Sequence, residues 1–526
     1  MTGKQHHSPL LSRRAVVGSG GALLLTAGHA LAQTDTAPVR CRAGTFQGTV
    51  ERSVRAFRGI RYGRAERFRA PVPVPAAAGV QPAATFGAVC PQSGGRYGPQ
   101  SEDCLFLNIW TTEADARAKK PVMLYIHGGA YSSGSVTDPL NDGQALAARG
   151  DVVVVTVNHR LNALGYLYLA RLDPRFADSG NLGQLDLILA LQWVRDNIAA
   201  FGGDPNRVLV FGQSGGGAKI ATMMGMPAAK GLFHRAITMS GQQVTASGPL
   251  NATERTRAYL AKLGVAGDNV DALLGMPIER LIEGLAARDP ILGGGVYFGP
   301  VLDMRWLTRH PFWPDANPQS LGIPMILGNT RDETRGFNDP DSPKMQGLNW
   351  DNLAQRIAPE LRIDILPEWV VEQYRKQFPD WSPADVFYAS TTAGRSWRGQ
   401  VIEAEERARA GAPGWVYQLD FGSRTDPRRG AFHTMDIPLA FGTLGASGSQ
   451  TGTGADARAA SQAIQDSFVA FATKGDPNHR GLPVWPRYDL DKRTTMIFDV
   501  RPRIENDPRK WQRELFARVP YIQPGT

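Results

Sequence analysis

Residues 207–226, Arg-Val-Leu-Val-Phe-Gly-Gln-Ser-Gly-Gly-Gly-Ala-Lys-Ile-Ala-Thr-Met-Met-Gly-Met, constrain the fold more than any other stretch of the chain. Residues 208–211 are a short, apolar, β-branch-rich run, residues 212–217 are dense in glycine around one serine, and a helical pattern runs from Ala218 until Pro227 stops it. This is a strand, a sharp turn and a helix. Gly212, Ser214 and Gly216 form G-x-S-x-G, in which strand and helix backbones pass too close for a Cβ beside a serine held in strained geometry. The strain turns the Ser214 hydroxyl outward, and the Gly215 amide falls at a helix N-terminus. A pattern this short recurs by accident in a glycine-rich chain, so the flanking strand and helix carry the reading.

The 526 residues are 20% charged and 42% hydrophobic, ordinary for a globular protein with a large core. Lys4, Arg13 and Arg14, with no acidic neighbour before residue 33, supply three of the nine net positive charges. No Lys/Arg block with interleaved aromatics follows, which argues against a nucleic-acid partner. Ser12-Arg13-Arg14-Ala15-Val16-Val17, a moderately apolar stretch over 15–31 and Ala30-Leu31-Ala32 read as a twin-arginine export signal. Cleavage is expected after Ala32, giving a periplasmic or secreted bacterial protein whose residues 33–526 form one domain. No later stretch has the 18 apolar residues of a membrane span, so no stable membrane insertion is expected after cleavage. The three cysteines fit one disulfide and one spare thiol. Cys90 and Cys104 enclose 13 residues, a loop that a bridge would stabilise by about 3 kcal/mol. Cys41 follows Arg40 and has no lipobox.

Along the chain, residues 33–110 read as short strands separated by Gly, Pro and Ala, with a proline-rich edge over 71–82. Strands are expected over 105–110, 121–126 and 152–157, the last uniformly apolar as in a parallel strand covered on both faces. Leu187, Leu191, Val194 and Ile198 mark one apolar helical face within 185–201. Further strands are expected over 324–327 and 415–419, and a flexible Gly/Ser/Thr-rich loop over 442–454. Helix-like segments over about 250–290 and 336–410 read as cap insertions. The order implies a right-handed α/β sheet whose ligands bind at the carboxyl ends of the strands.

A serine hydroxyl is a poor nucleophile at neutral pH, so it needs a base, and the base an orienting carboxylate. In α/β hydrolases these follow the serine in the order acid, then histidine. His234 follows the serine's helix too closely, His310 precedes the best acid candidate, and His479 sits in a turn-forming run. His433, shortly after the 415–419 strand, remains. Asp332 and Glu333 both follow the strand ending at Leu327, and composition does not choose between them. Ile126-His127-Gly128-Gly129-Ala130-Tyr131 ends a strand in small residues. There the Gly129 and Ala130 amides, with that of Gly215, are expected to form an oxyanion hole. His127 precedes the serine and reads as a loop-fixing residue.

The chain resembles the type-B carboxylesterases, the family of the bacterial p-nitrobenzyl esterases, mammalian carboxylesterases and cholinesterases. The matching runs are Glu102 to Ile109, His127-Gly128-Gly129-Ala130, Asn158-His159-Arg160-Leu161, Gly180-Asn181-Leu182-Gly183, Phe201 to Arg207, the serine turn, Gly299 to Asp303, Asp332-Glu333, His433 and Trp485-Pro486-Arg487-Tyr488. The resemblance implies the α/β-hydrolase fold, a large mostly parallel central sheet flanked by helices. It selects Glu333 as the acid of a Ser214-His433-Glu333 triad, gives Ser240 a supporting role and pairs Cys90 with Cys104. It implies a small-molecule ester substrate, with no metal and no organic cofactor. Lipase, lactonase or amidase activity on the same triad is the alternative, and a non-catalytic binding module a more distant one.

The chain departs from the family at several positions. Gln213 stands where glutamate usually precedes the serine, Gly215 where alanine is common, and Thr334 where glycine usually follows the acid. The short loop between Cys90 and Cys104 has no tryptophan, so choline esters are not expected substrates. Residues 293–298, Gly-Gly-Gly-Val-Tyr-Phe, are expected either to leave a roomy acyl side or to form a surface loop.

Overall fold

The β-branched and aromatic runs of this chain assemble, in a computed structural model that describes residues 34–526, into a twelve-stranded mixed sheet. The export segment expected over residues 1–32 lies outside the described residues. We number the sheet strands β1 (Thr34–Asp35), β2 (Thr49–Glu51), β3 (Val54–Arg61), β4 (Phe106–Thr111), β5 (Lys120–Ile126), β6 (Val153–Val157), β7 (Gly203–Gln213), β8 (Arg235–Met239), β9 (Met325–Thr330), β10 (Gly414–Leu419), β11 (Thr494–Phe498) and β12 (Arg503–Asn506). Their spatial order is β1-β2-β3-β4-β6-β5-β7-β8-β9-β10-β11-β12. From β6 to β11 every neighbouring pair is parallel, and both ends of the sheet are antiparallel. The only departure from sequence order is the exchange of β5 and β6, a crossover.

The parallel block carries the core. Every residue of β5, β6, β8 after its first residue, β9 and β10 is buried, as expected when helices cover both faces. One face packs Val122, Leu124, Val208 and Val210 against α1 (Leu182–Asn197) and α2 (Gly215–Met223). The other packs Met123, Tyr125, Leu209 and Phe211 against helices from the C-terminal third. This alternation follows from the pleat. The helix expected over 185–201 starts earlier, at Leu182, and buries nearly its whole circumference instead of one face. It is enclosed on several sides, so its polar members Gln184 and Asp186 sit inside with partners: Asp186 accepts from the buried Arg160 guanidinium at 2.7 Å.

Residues 249–284 contain α3 (Pro249–Lys262) and two shorter helices. Residues 353–409 contain α4 (Pro367–Gln377), α5 (Pro383–Thr392) and α6 (Arg398–Arg409). A separate apolar cluster holds the second group together, with Leu353, Val370, Tyr374 and Phe387 against Leu515 and Phe516 from the C-terminal end. Ser382 and Asp385 form a capping box at the start of α5. The proline-rich edge over 71–82 forms only the short strands Val72–Pro73 and Val80–Pro82, with Val72 and Val80 exposed.

The cysteines correct one expectation. Cys90 and Cys104 are free thiols in this structure, both buried, in hydrogen-bonding contact with each other. That contact, followed by burial, pushes the Cys104 thiol well above its ordinary range. The loop between them is held without a bridge: Val89 N donates to Pro99 O at 2.9 Å, Gln92 Nε2 to Gly134 O at 3.0 Å, and Arg67 Nε to Glu102 Oε2 at 2.9 Å.

Candidate active site

Five parallel strands, β5, β7, β8, β9 and β10, deliver the predicted residues to one edge of the sheet. Ser214 sits between β7 and α2 with φ 55° and ψ −122°, a conformation costly for any residue with a Cβ and persisting only where its surroundings enforce it. The Ser214 amide donates to Met239 O at 2.7 Å, tying the turn to β8. A Cβ on Gly216 would lie 2.0 Å from the carbonyl oxygen of Ile126 in β5, which is why the position admits glycine.

After β9 the two adjacent carboxylates separate. Asp332 turns outward, accepting from Ala431 N at 2.9 Å and Arg331 Nη2 at 3.1 Å, and so braces the loop that carries His433. Glu333 turns inward and is fully buried. Its Oε1 accepts from Ser240 Oγ at 2.5 Å, Thr330 N at 2.8 Å and Asn329 Nδ2 at 3.1 Å, and its Oε2 faces His433 Nδ1 in a short hydrogen bond. Burial alone would raise this carboxyl; the imidazole, the serine hydroxyl and the Thr330 amide outweigh it and hold the group below its ordinary range. The remaining lone pair of the His433 ring, on Nε2, faces Gln213 Nε2 at 3.3 Å. A glutamate at 213 would set a carboxylate beside this nitrogen; glutamine sets an uncharged amide there. Thr334 bonds to Thr391 at 2.8 Å and Thr392 at 3.0 Å, anchoring the turn to α5.

The other candidate histidines lie elsewhere: His234 Nδ1 accepts from Val208 N at 3.2 Å, His310 Nδ1 from Ala246 N at 3.0 Å, and His479 faces Ser467 at 3.3 Å. His127 donates from Nδ1 to Gly128 O at 2.8 Å, and burial, aided by Lys219, lowers it to about 3, so it stays neutral.

Ser214 and His433 line one cavity of about 720 Å³, together with Gly129, Ala130 and Gly215. Gly129 and Ala130 adopt φ 90° and 54°, the turn that brings the loop after β5 over the start of α2. Gly215 is the first residue of α2, where an amide has no intrahelical acceptor. Of residues 293–298, the glycines are at the surface and Tyr297 alone lines the cavity, which favours the surface-loop expectation over a roomy acyl side. Among the described residues, no group of three or more His, Cys, Asp or Glu is arranged to hold a metal ion, and no helix is long and apolar enough to cross a membrane.

The sequence reading passed over Lys219. It is fully buried one turn into α2, and its Nζ donates to Ala130 O at 2.6 Å and Gly215 O at 3.3 Å while lying 4.9 Å from the Tyr131 ring. It therefore fastens the loop after β5 to the serine's helix. A Cβ on Gly215 would lie 2.0 Å from Ala130 O, so glycine at 215 and lysine at 219 belong to one arrangement. A lone lysine within Ala218-Lys219-Ile220-Ala221 was the available signal. Burial lowers this ammonium to about 7, against about 10.4 in an unfolded chain. The unfolded state binds more protons between those values, so this group makes stability rise with pH from about 7 toward 10, by at most about 1.4 kcal/mol per pH unit. Urea unfolding of the wild type and of Lys219→Met at pH 7, 8 and 9 is expected to show this rise in the former and its loss in the latter; parallel profiles would contradict it.

The α/β-hydrolase sheet, the strained serine and the Glu333–His433 contact define a class of ester-cleaving enzymes, and the chain belongs to the carboxylesterase family, whose model matches residues 33–516. Membership makes it a carboxylic ester hydrolase. Among its relatives is the para-nitrobenzyl esterase of Bacillus subtilis (strain 168), 34% identical over 90% of this chain and 97% of that protein. Another is the phenmedipham hydrolase of Pseudarthrobacter oxydans, 31% identical over 86% and 93%. A crystal structure of a Geobacillus stearothermophilus carboxylesterase at pH 6.2 superposes with a TM-score of 0.81 at 35% identity, covering 91% of this chain and 99% of that one.

Proposed function

We propose that the chain hydrolyses small-molecule carboxylic esters through an acyl-enzyme formed on Ser214. His433 Nε2 takes the hydroxyl proton as Ser214 Oγ attacks the ester carbonyl, and the Gly129, Ala130 and Gly215 amides receive the negative charge that develops on its oxygen. Glu333 keeps the other imidazole proton on Nδ1 and stabilises the imidazolium. Collapse of the tetrahedral intermediate breaks the bond to the alkoxide, which leaves with the proton from His433. Water, deprotonated by the same nitrogen, then attacks the acyl carbon and restores Ser214. Ser240 acts behind Glu333 as a positioning residue, and Gln213 meets the ring nitrogen of His433 that faces away from Glu333.

One observation carries this reading: Ser214, in a strained turn, and His433, backed by a buried carboxylate, share the wall of one cavity. The test is a panel of p-nitrophenyl esters, emulsified triglyceride, a lactone and p-nitroanilides. Turnover of the soluble esters well above that of the other three is expected. Preferential cleavage of triglyceride, lactone or anilide would redirect the assignment to a lipase, lactonase or amidase.

A further inference from the structure

The same cavity holds charge that this chemistry leaves unused. Its walls include three guanidinium side chains, Arg96, Arg362 and Arg395, and one aspartate, Asp138. Asp138 accepts from Arg96 and from the Tyr97 hydroxyl, each at 2.7 Å, so that pair is internally neutral. Arg395 contacts Glu360 at 3.0 Å, but Glu360 is shared with Lys344. Arg362 has no carboxylate within ion-pair distance among the described residues, and its Nε is buried without an acceptor. Burial and the neighbouring Arg362 hold Arg395 below the usual range of a guanidinium. Two adjacent cations, short of counter-charge and partly withdrawn from water, are a costly arrangement in a resting protein unless an anion visits.

Their placement relates them to the reaction. Between α5 and α6 the chain makes a π turn, Ala393–Trp397, in which Arg395 leaves helical geometry at φ −118° and ψ −108°; such turns concentrate at functional sites. The Arg395 guanidinium carbon lies 4.5 Å from the centre of the Phe337 ring, and that ring lies 4.7 Å from the imidazole of His433. The cation is thus no farther from His433 than those two lengths laid end to end. Arg362 is pinned beside it, its amide donating to Gly394 O at 2.8 Å and its carbonyl accepting from Ile522 N at 2.7 Å. Tyr297, Phe337 and Tyr521 supply an aromatic wall, which limits hydration and strengthens charge pairing inside.

We propose that Arg362 and Arg395 form an anion subsite in the active-site cavity, and that the esters this chain cleaves best carry a free carboxylate a few bonds from the scissile carbonyl. This rests on the esterase reading above. A planar guanidinium matches a carboxylate with two parallel N–H donors, and Arg362 has donors to spare. The competing account gives both arginines a purely structural role in joining α5, α6 and the C-terminal segment.

Matched substrate pairs separate the two accounts. With the carboxylate on the acyl side the pair is p-nitrophenyl hydrogen glutarate and its methyl ester; on the alcohol side it is 4-butyryloxybenzoate and its methyl ester. The wild type is expected to favour the charged member of at least one pair by about tenfold or more in kcat/KM, the scale of one good charge-assisted contact. That ratio should fall toward one in Arg362→Met and Arg395→Met, recover in part in Arg362→Lys, and shrink as salt rises. Reading a ratio within each variant keeps a general loss of activity from imitating the effect. Should a variant fold poorly, inhibition of the wild type on p-nitrophenyl butyrate by glutarate, but not by the neutral glutaramide, reports the same subsite. Brisk hydrolysis of the neutral esters with no charged preference in either pair would overturn the subsite and leave the esterase reading standing. No hydrolysis of any ester would remove both.

Discussion

Ser214→Ala is expected to lower kcat on p-nitrophenyl butyrate by about 10⁶-fold, the scale found when a triad serine is removed, while the thermal midpoint stays within a few degrees. Both halves follow from the geometry. Ser214 carries its hydroxyl at the apex of the strained turn and shares one cavity with His433. The turn itself is held by backbone contacts that alanine keeps: Ser214 N to Met239 O at 2.7 Å, Ala218 N to Ser214 O at 3.0 Å, and the glycine approaches on either side. Residual catalysis would come from the amides of Gly129, Ala130 and Gly215 acting on bound ester, so a small rate above buffer is expected. Purified variant retaining a tenth of wild-type turnover, with circular dichroism unchanged, would remove Ser214 from the mechanism.

Glu333→Gln is expected to lower kcat by about 10⁴-fold, the scale seen when a triad carboxylate becomes an amide. The carboxylate accepts at both oxygens, from Ser240, Thr330 and Asn329 on one and from the His433 ring on the other. An amide fits the space but keeps one oxygen. With that oxygen toward the three donors, its NH₂ meets Nδ1 and favours the tautomer protonated at Nε2, which has no lone pair for the Ser214 proton. With the oxygen toward the ring, the NH₂ faces three donors inside the core, a desolvated mismatch of about 1–3 kcal/mol. Activity or stability suffers in either orientation. The pH dependence adds a second readout: a carboxyl held below its ordinary range stabilises the fold above the unfolded value, and that contribution is lost as pH falls through the folded one. Acid unfolding monitored by fluorescence should therefore be less steep in the variant. Near-normal turnover in Glu333→Gln would transfer the orienting role to another group, and Asp332, bonded to Ala431 N at 2.9 Å, is the neighbour to examine.

Much of the site was legible because its strongest constraints are local. The glycines around Ser214 declare a backbone crossing, the apolar runs over 121–126 and 152–157 declare strands buried on both faces, and the chain order of acid and histidine limited the base to a few candidates. The cap helices over 353–409 were visible as helical pattern, but their closure on Leu515 and Phe516 was not, since an apolar face does not name its partner. Gln213 was noticed as a missing charge, and its contact with the His433 ring emerged only with the fold.

From sequence alone came the strand, turn and helix around Ser214, the parallel α/β plan, and His433 as the candidate base, because each is written in spacing of a few residues or in chain order. Tertiary structure decided what adjacent or identical chemistries leave open. It turned Glu333 inward and Asp332 outward, left Cys90 and Cys104 as touching thiols, set the Lys219 ammonium on the Ala130 carbonyl, and brought Arg395 over Phe337 with Arg362 next to it. The physical reason is common to all four. A side chain's environment is set by which distant segments fold against it, and burial, pairing and direction at 219, 333, 362 or 395 depend on contacts made across tens of residues to more than a hundred, or on the turn of a single peptide.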